Sequence, residues 1–190
     1  MSKIYDMLAE HCPDGIMRRK LNDVLSYSRS DKYIVKSTNY DDKYTTPVLT
    51  AGKSFILGHT DEKDGIYRAS KENPVIIFDD FTTSFHWVDF DFKVKSYAVK
   101  ILTKKENVDF RYVYYAMKCI RYVPTSYTRQ WISTYSNFEI QVPPLSIQQE
   151  IVKVLDAFTE EFETKLKEEL KARHKQYEYY RDKLLGFEEK

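Results

Sequence analysis

The sequence predicts an α+β protein in which a globule with a mixed, strand-rich core is followed by one long α-helix. Three observations predict it. Residues 75–78 are a continuous apolar run between polar turns, the pattern of a strand covered on both faces. Residues 88–95 alternate apolar and charged side chains with the two-residue period of a strand. From residue 146 to about 187, Ile151, Leu155, Phe158, Phe162, Leu166, Leu170, Tyr177 and Leu184 recur at helical steps, so one apolar stripe runs along one face. A helix of roughly 40 residues spans about 60 Å. That is more than core packing requires, and its narrow stripe calls for a partner helix.

Taken in order, residues 3–11 carry Ile4, Met7, Leu8 and His11 on one helical face and stop at the turn Cys12-Pro13-Asp14-Gly15. A strand and a brief helical turn follow to about Ser26, and residues 28–44, polar and without a period, read as an irregular exposed segment. Short β-prone stretches at 46–50 and 55–57 end at Gly52 and Gly58, and Pro74 introduces the apolar run at 75–78. In the alternating stretch at 88–95 the valines and phenylalanines are expected to face a core and the charges solvent. One more strand is expected at 97–102. Asp109 is placed to cap a helix to about Arg121 with Val113, Tyr114, Met117 and Ile120 inward. Residues 122–136 read as loop, 138–142 as a last strand, and Pro143-Pro144 ends the globule. Ser146 with Gln149 three residues on has the form of a capping box for the long helix. The expected organisation is therefore a domain over 1–143 and a helix over 144–190.

Composition limits what such a protein does. No apolar run is long enough to span a bilayer and the N-terminus lacks a signal pattern, so a cytoplasmic protein with no membrane partner is expected. Two cysteines in no metal-like spacing, and four histidines without ligand spacing, suggest neither a disulfide framework nor a metal site. Net charge is +1; residues 145–190 hold 9 Lys+Arg against 11 Asp+Glu and the rest 21 against 18. Any nucleic-acid face is then a local patch, or other subunits supply most phosphate contacts. The 16 tyrosines suit wet interfaces with protein or nucleic acid, and equally the edges of a small core.

Two stretches carry a resemblance to a known family. Pro143-Pro144-Leu145 followed by Gln148-Gln149-Glu150-Ile151-Val152, and the run Arg173-His174-Lys175-Gln176-Tyr177-Glu178-Tyr179-Tyr180-Arg181-Asp182-Lys183-Leu184-Leu185, resemble the conserved region of the DNA specificity subunits of type I restriction-modification enzymes. Cys12-Pro13-Asp14-Gly15 and Leu21-Asn22-Asp23-Val24-Leu25 resemble the opening of such subunits. The resemblance implies a non-catalytic subunit whose target recognition domain reads one half of a bipartite site in double-stranded DNA. It also implies partners: two methyltransferase subunits, which bind S-adenosylmethionine while this chain binds no cofactor, and motor-nuclease subunits that join for cleavage. The long helix would space the half-sites and dock the methyltransferase. Family members carry two recognition domains and two such helices, and this chain has one of each. The chain is then a natural or engineered half-subunit or a fragment of a longer one, and a half-subunit that forms a homodimer, with the helices paired as an antiparallel coiled coil, would restore the whole.

Three residue groups are candidates for the DNA face. Asp79-Asp80-Phe81-Thr82-Thr83-Ser84 follows the buried strand: Thr82, Thr83 and Ser84 suit bases or phosphates and Asp80 can accept from a cytosine amino group. The same residues also make a self-satisfied turn. In Tyr127-Thr128-Arg129-Gln130-Trp131, arginine suits a bidentate contact to guanine, glutamine one to adenine, and the aromatics suit sugars or a thymine methyl. The competing view is a surface loop with Trp131 tucked into the core. Lys53, Ser54, His59, Thr60 and Arg68, beside Gly52, Gly58 and Gly65, form a looser group suited to phosphate.

Two other classes remain. Asp79 or Asp80 at the end of one strand and Asp91-Phe92-Lys93 on the next mimic the Asp followed by Asp/Glu-x-Lys pattern of metal-dependent nucleases, although an alternating surface strand gives the same pattern. The helix alone also suits a protein-binding coiled-coil adaptor. No glycine-rich phosphate loop and no Asn-Pro-Pro-Tyr-like motif is present.

Overall fold

The computed structural model describes residues 2–52 and 54–186. Its elements are α1 (Ser2–His11), β1 (Arg18–Lys20), α2 (Leu21–Val24), β2 (Leu25–Arg29), β3 (Thr46–Leu49), β4 (Ile56–Thr60), β5 (Val75–Asp79), β6 (Phe85–Val88), β7 (Lys93–Val94), β8 (Val99–Lys104), α3 (Phe110–Lys118), β9 (Glu139–Gln141) and α4 (Leu145–Leu185). A four-stranded antiparallel sheet in the order β2-β8-β5-β6 is the centre. A second sheet, β4-β3-β7, pairs β3 antiparallel with β4 and parallel with β7, and β1 pairs antiparallel with β9. These strands lie in one unit, Met1–Gln148, and Gln149–Lys190 form a second.

Strand β5 is apolar from Val75 to Phe78 because both of its faces are covered. Ile76 and Phe78 join one cluster with Leu102, Val113, Met117 and Trp131, while Val75 and Ile77 join another with Leu49, Phe92, Val94 and Ile101. Each such side chain removed from water contributes about 1.5–3 kcal/mol, so the residues at the end of β5 project from a strand anchored on both faces. Helix α3 is capped as its sequence requires, with the Asp109 carboxylate accepting from the Tyr112 amide at 2.9 Å. It stops at Lys118, before the expected Arg121, because the Cys119 and Ile120 amides tighten onto the carbonyls of Ala116 and Met117 at 3.1 Å. The segment at 28–44 is irregular as expected beyond β2 and a short turn of 3₁₀-helix over Asp31–Tyr33, but Ser30 and Val35 are buried rather than exposed.

The stretch at 88–95 is not one strand. Strand β6 ends at Val88, the chain crosses to the second sheet, and only Lys93–Val94 pair there, in parallel with β3. Val88, Phe92 and Val94 are buried as the alternation predicts, whereas Lys93 is 1% exposed and does not face solvent. The crossing covers both faces of β7, and the lysine is accommodated because Nζ donates to the Asp64 carbonyl at 2.7 Å and pairs with Glu62 at 3.0 Å. Glu62 also accepts from the Lys36 and Ser37 amides at 2.8 and 2.9 Å. Burial pushes its carboxyl up, but the Ser37 amide, the Lys93 ammonium and the Lys36 amide outweigh burial and hold it below its ordinary value of 4.5. The folded state therefore binds the proton more weakly than the unfolded chain, and the stabilisation is present above pH 4.5 and lost as pH falls below it. A Glu62→Gln variant is expected to be less stable at neutral pH and to lose less of its stability between pH 6 and 3. Denaturant melts across that range check it, and parallel curves for the two proteins would count against the role of Glu62.

Helix α4 begins at Leu145, so Ser146 lies inside it and is not the cap that the sequence suggests. The Pro144 carbonyl takes the first helical amides, those of Ile147 and Gln148, at 2.9 and 3.1 Å. The buried Gln148 side chain holds this turn in the first unit: Oε1 accepts from the Asp109 amide and Nε2 donates to the Pro143 carbonyl. Along the second unit, i,i+4 pairs Lys165–Glu161 and Arg173–Glu169 mark a solvated face. Phe158, Phe162, Leu166, Leu170, Tyr177 and Leu184 are exposed, and Ile151 and Leu155 are half-buried. Among the described residues no helix is long and apolar enough to cross a membrane.

Candidate nucleic-acid interface

The turn that follows β5 is built by its own side chains. Asp79 Oδ1 accepts from the amides of Phe81 and Thr82 at 2.9 and 2.8 Å, and Thr83 takes φ 60, a left-handed position uncommon for threonine. This turn presents Thr82 outward with its hydroxyl 3.1 Å from that of half-buried Ser84, while Thr83 is buried.

Asp80 points the other way and is 1% exposed. Its backbone carbonyl accepts from the Gln130 amide at 2.7 Å, Oδ1 from the Trp131 amide at 2.8 Å, and Oδ2 faces Lys100 Nζ at 3.3 Å and Arg129 Nη1 at 3.5 Å. One buried carboxylate thus ties the β5–β6 turn to the 127–131 loop. The rings of Phe81 and Tyr127 stack across the same junction, 4.6 Å apart at 14°. Lys100 is 4% exposed and lies over the Tyr27 ring at 5.6 Å, and Arg129 lies over Tyr97 at 5.5 Å.

This arrangement corrects several sequence expectations. Gln130 does not offer its amide to adenine: Nε2 donates to the carbonyls of Ser126 and Thr128 and to the Thr128 hydroxyl, and Oε1 accepts from Tyr122 at 2.8 Å. Trp131 is 2% exposed, packed edge-on against Phe78 at 5.1 Å and beside Tyr135, whose hydroxyl burial pushes up to about 12. Asp80, Thr83, Gln130 and Trp131 are therefore the frame of the two loops, and Thr82, Ser84, Tyr127, Thr128 and Arg129 are what the frame displays. Lys100 and Tyr97 are not among the sequence candidates, and Phe81, within the candidate run, has no role assigned there. A lysine between Val99 and Ile101 in an apolar strand was the available signal, because an inward ammonium demands a buried acid.

The third group is dispersed. Lys53 lies outside the described residues. Ser54 is exposed and uses its carbonyl to accept from the Thr50 hydroxyl, Thr60 is buried with its hydroxyl accepting from the Glu62 amide, and His59 Nδ1 is buried without a partner. Arg68 is exposed but paired with Asp91. That pair also breaks the nuclease pattern, since Asp91 is held at the surface by Arg68 while Lys93 is interior with Glu62. Asp79 meanwhile is engaged by its turn. Among the described residues no three His, Cys, Asp or Glu side chains are gathered to hold a metal ion.

Comparison with known proteins adds a family to this geometry. Residues 13–172 match the model of the type I restriction modification DNA specificity domain. The chain is 49% identical to the EcoR124I/EcoR124II type I restriction enzyme specificity subunit of Escherichia coli over 89% of its own length and 44% of that protein's. In fold it is similar to the type I restriction-modification S subunit from M. genitalium, with a TM-score of 0.63 at 17% identity, covering 91% of this chain and 46% of that one. A chain solved in a study of assembly and conformational transition of the type I R-M system matches with a TM-score of 0.55 at 16% identity, over 96% of this chain and 48% of that one. The chain thus spans about half the length of the relatives it matches.

Proposed function

Because the chain belongs to the type I restriction modification DNA specificity family, we propose that it is a sequence-specific DNA recognition subunit, itself non-catalytic, that reads one half of a bipartite target for a methyltransferase. The observation that carries this reading is the pair of loops braced by buried Asp80, which display Thr82, Ser84, Tyr127, Thr128 and Arg129 from a rigid strand end. Hydroxyl, aromatic and guanidinium groups on a preorganised support are what groove recognition needs. The 49% identical relative is itself called a specificity subunit. Cleavage would come from motor-nuclease subunits joining the assembly, and S-adenosylmethionine from the methyltransferase.

The exposed stripe of α4 supports the second part of the proposal. Two copies pair through it as antiparallel helices, which also hold the two readers apart and dock the methyltransferase. Two identical readers related by a two-fold axis see identical half-sites on opposite strands. With this chain as the only specificity subunit beside its cognate methyltransferase, mapping methylated bases in a host genome is expected to reveal an interrupted palindrome with adenine modified in both halves. An asymmetric motif would reject the two-fold pair and leave DNA reading intact, whereas no motif at all, with binding insensitive to salt, would favour the protein-binding adaptor.

A further inference from the structure

We propose that Arg129 reads a guanine in the major groove, with its guanidinium positioned by the buried carboxylate of Asp80 and by the ring of Tyr97. This rests on the DNA-recognition reading above. The Arg129 side chain is 48% exposed, so it stands half inside the loop frame and half outside. On the inner side Nη1 faces Asp80 Oδ2 at 3.5 Å, and Cζ lies 5.5 Å from the centroid of Tyr97. Among the described residues no partner engages Nε or Nη2. Those two nitrogens form one edge of the planar group and present parallel N–H donors, the match for guanine O6 and N7.

Two further observations favour a base over a phosphate. The buried carboxylate engages Nη1 on the inner side, which fixes the plane of the guanidinium and leaves its outer edge as a directional donor pair. A phosphate contact also needs no fixed aim, whereas this side chain is held from two directions on a loop whose backbone is itself bonded to Asp80 at Gln130 and Trp131. Gln130, the other fork-bearing side chain of the loop, has its amide bound internally. That leaves Arg129 as the side chain of this loop able to make a bidentate base contact. Asp80 does not touch DNA in this scheme. It is a positioning residue, and Lys100 beside it at 3.3 Å helps to hold it in place.

The test uses the full chain assembled with its methyltransferase, in competition binding on duplexes carrying the recognised site and on copies in which each G·C pair is changed to A·T. The wild-type assembly is expected to discriminate one such pair by roughly 5- to 150-fold, the range for a bidentate base contact. Arg129→Ala and Arg129→Lys should both lose that discrimination at that one position. Lysine keeps the charge but not the fork, so retained discrimination in Arg129→Lys, or a uniform loss on every duplex with a flatter salt dependence, would assign the side chain to phosphate and overturn the inference. Asp80→Asn should lose discrimination at the same position, and the Asp80→Asn/Arg129→Ala pair no more than Arg129→Ala alone, because one acts through the other. Additive losses would make Asp80 a fold residue only. Should Asp80→Asn fail to fold, Tyr97→Ala, on an exposed ring, carries the positioning test through the same cycle. A wild-type assembly that discriminates no duplex rejects the DNA reading itself. A recognised site indifferent to Arg129 rejects this inference alone.

Discussion

Replacing Asp80 with alanine is expected to lower the stability of the first unit by about 3–5 kcal/mol, the cost of breaking a buried ion pair by removing one partner. The carboxylate is 1% exposed and receives the Trp131 amide, the Lys100 ammonium and the inner edge of Arg129. Arg129 can swing to water, but Lys100, with its side chain 5% exposed, cannot without pulling β8 away from β5. The variant thus leaves a buried ammonium and an unpaired buried amide. Against a total of about 5–15 kcal/mol for a domain, this is a large fraction. Denaturant unfolding measures it directly. Adding Lys100→Met should recover much of the loss, since an apolar pair in place of a buried ion pair is often neutral. A shift of under about 1 kcal/mol for Asp80→Ala would mean that water reaches Lys100, and the brace would have to be sought elsewhere.

The second large effect is expected at the long helix. Leu166 and Leu170 are 55% and 70% exposed and lie one turn apart on the stripe. In the proposed pair they face the other copy, so a Leu166→Glu/Leu170→Glu variant would bury four carboxylates in the seam, at a cost of several kcal/mol. The chain should change from dimer to monomer, with its thermal unfolding little altered in the first unit, whose core holds neither residue. Light scattering and sedimentation at micromolar concentration decide it. An unmodified chain that is monomeric under those conditions removes the basis for the pair.

Period and the Asp109 cap make most of the fold legible in the sequence. The continuous run at 75–78, the helical steps from Ile151 onward and the Asp109 cap each depend on interactions within a few residues, which is where sequence patterns speak. The Ser146 cap and the end of α3 were misread locally, whereas the misreadings that matter for the site share one cause: long-range contacts decided them. Lys93 looked like a surface residue because alternation does not reveal that a strand crosses between two sheets; its acid partner, Glu62, lies more than one element away. The candidate site shows the same division. The polar character of 79–84 and 127–131 was plain. Which of their side chains point inward depended on Asp80 meeting a loop some fifty residues later, and no local spacing encodes that.

Between Tyr127 and Trp131 the chain passes from a ring that is 84% exposed to one that is 2% exposed, with the pegs Gln130 and Trp131 fixed inside. Beyond the Tyr127 stack on Phe81 and the inner contacts of Arg129, the outer side chains add little packing, while the inner ones are taken up by it. Thr82, Tyr127, Thr128 and Arg129 lie outside the buried core, so under the proposed DNA-reading role drift at these few positions would alter what is recognised while the core is left as it is. In the proposed role of distinguishing one sequence from another, this separation makes novelty cheap: recognition can change one exposed side chain at a time while the buried frame of Asp80, Gln130 and Trp131 is kept.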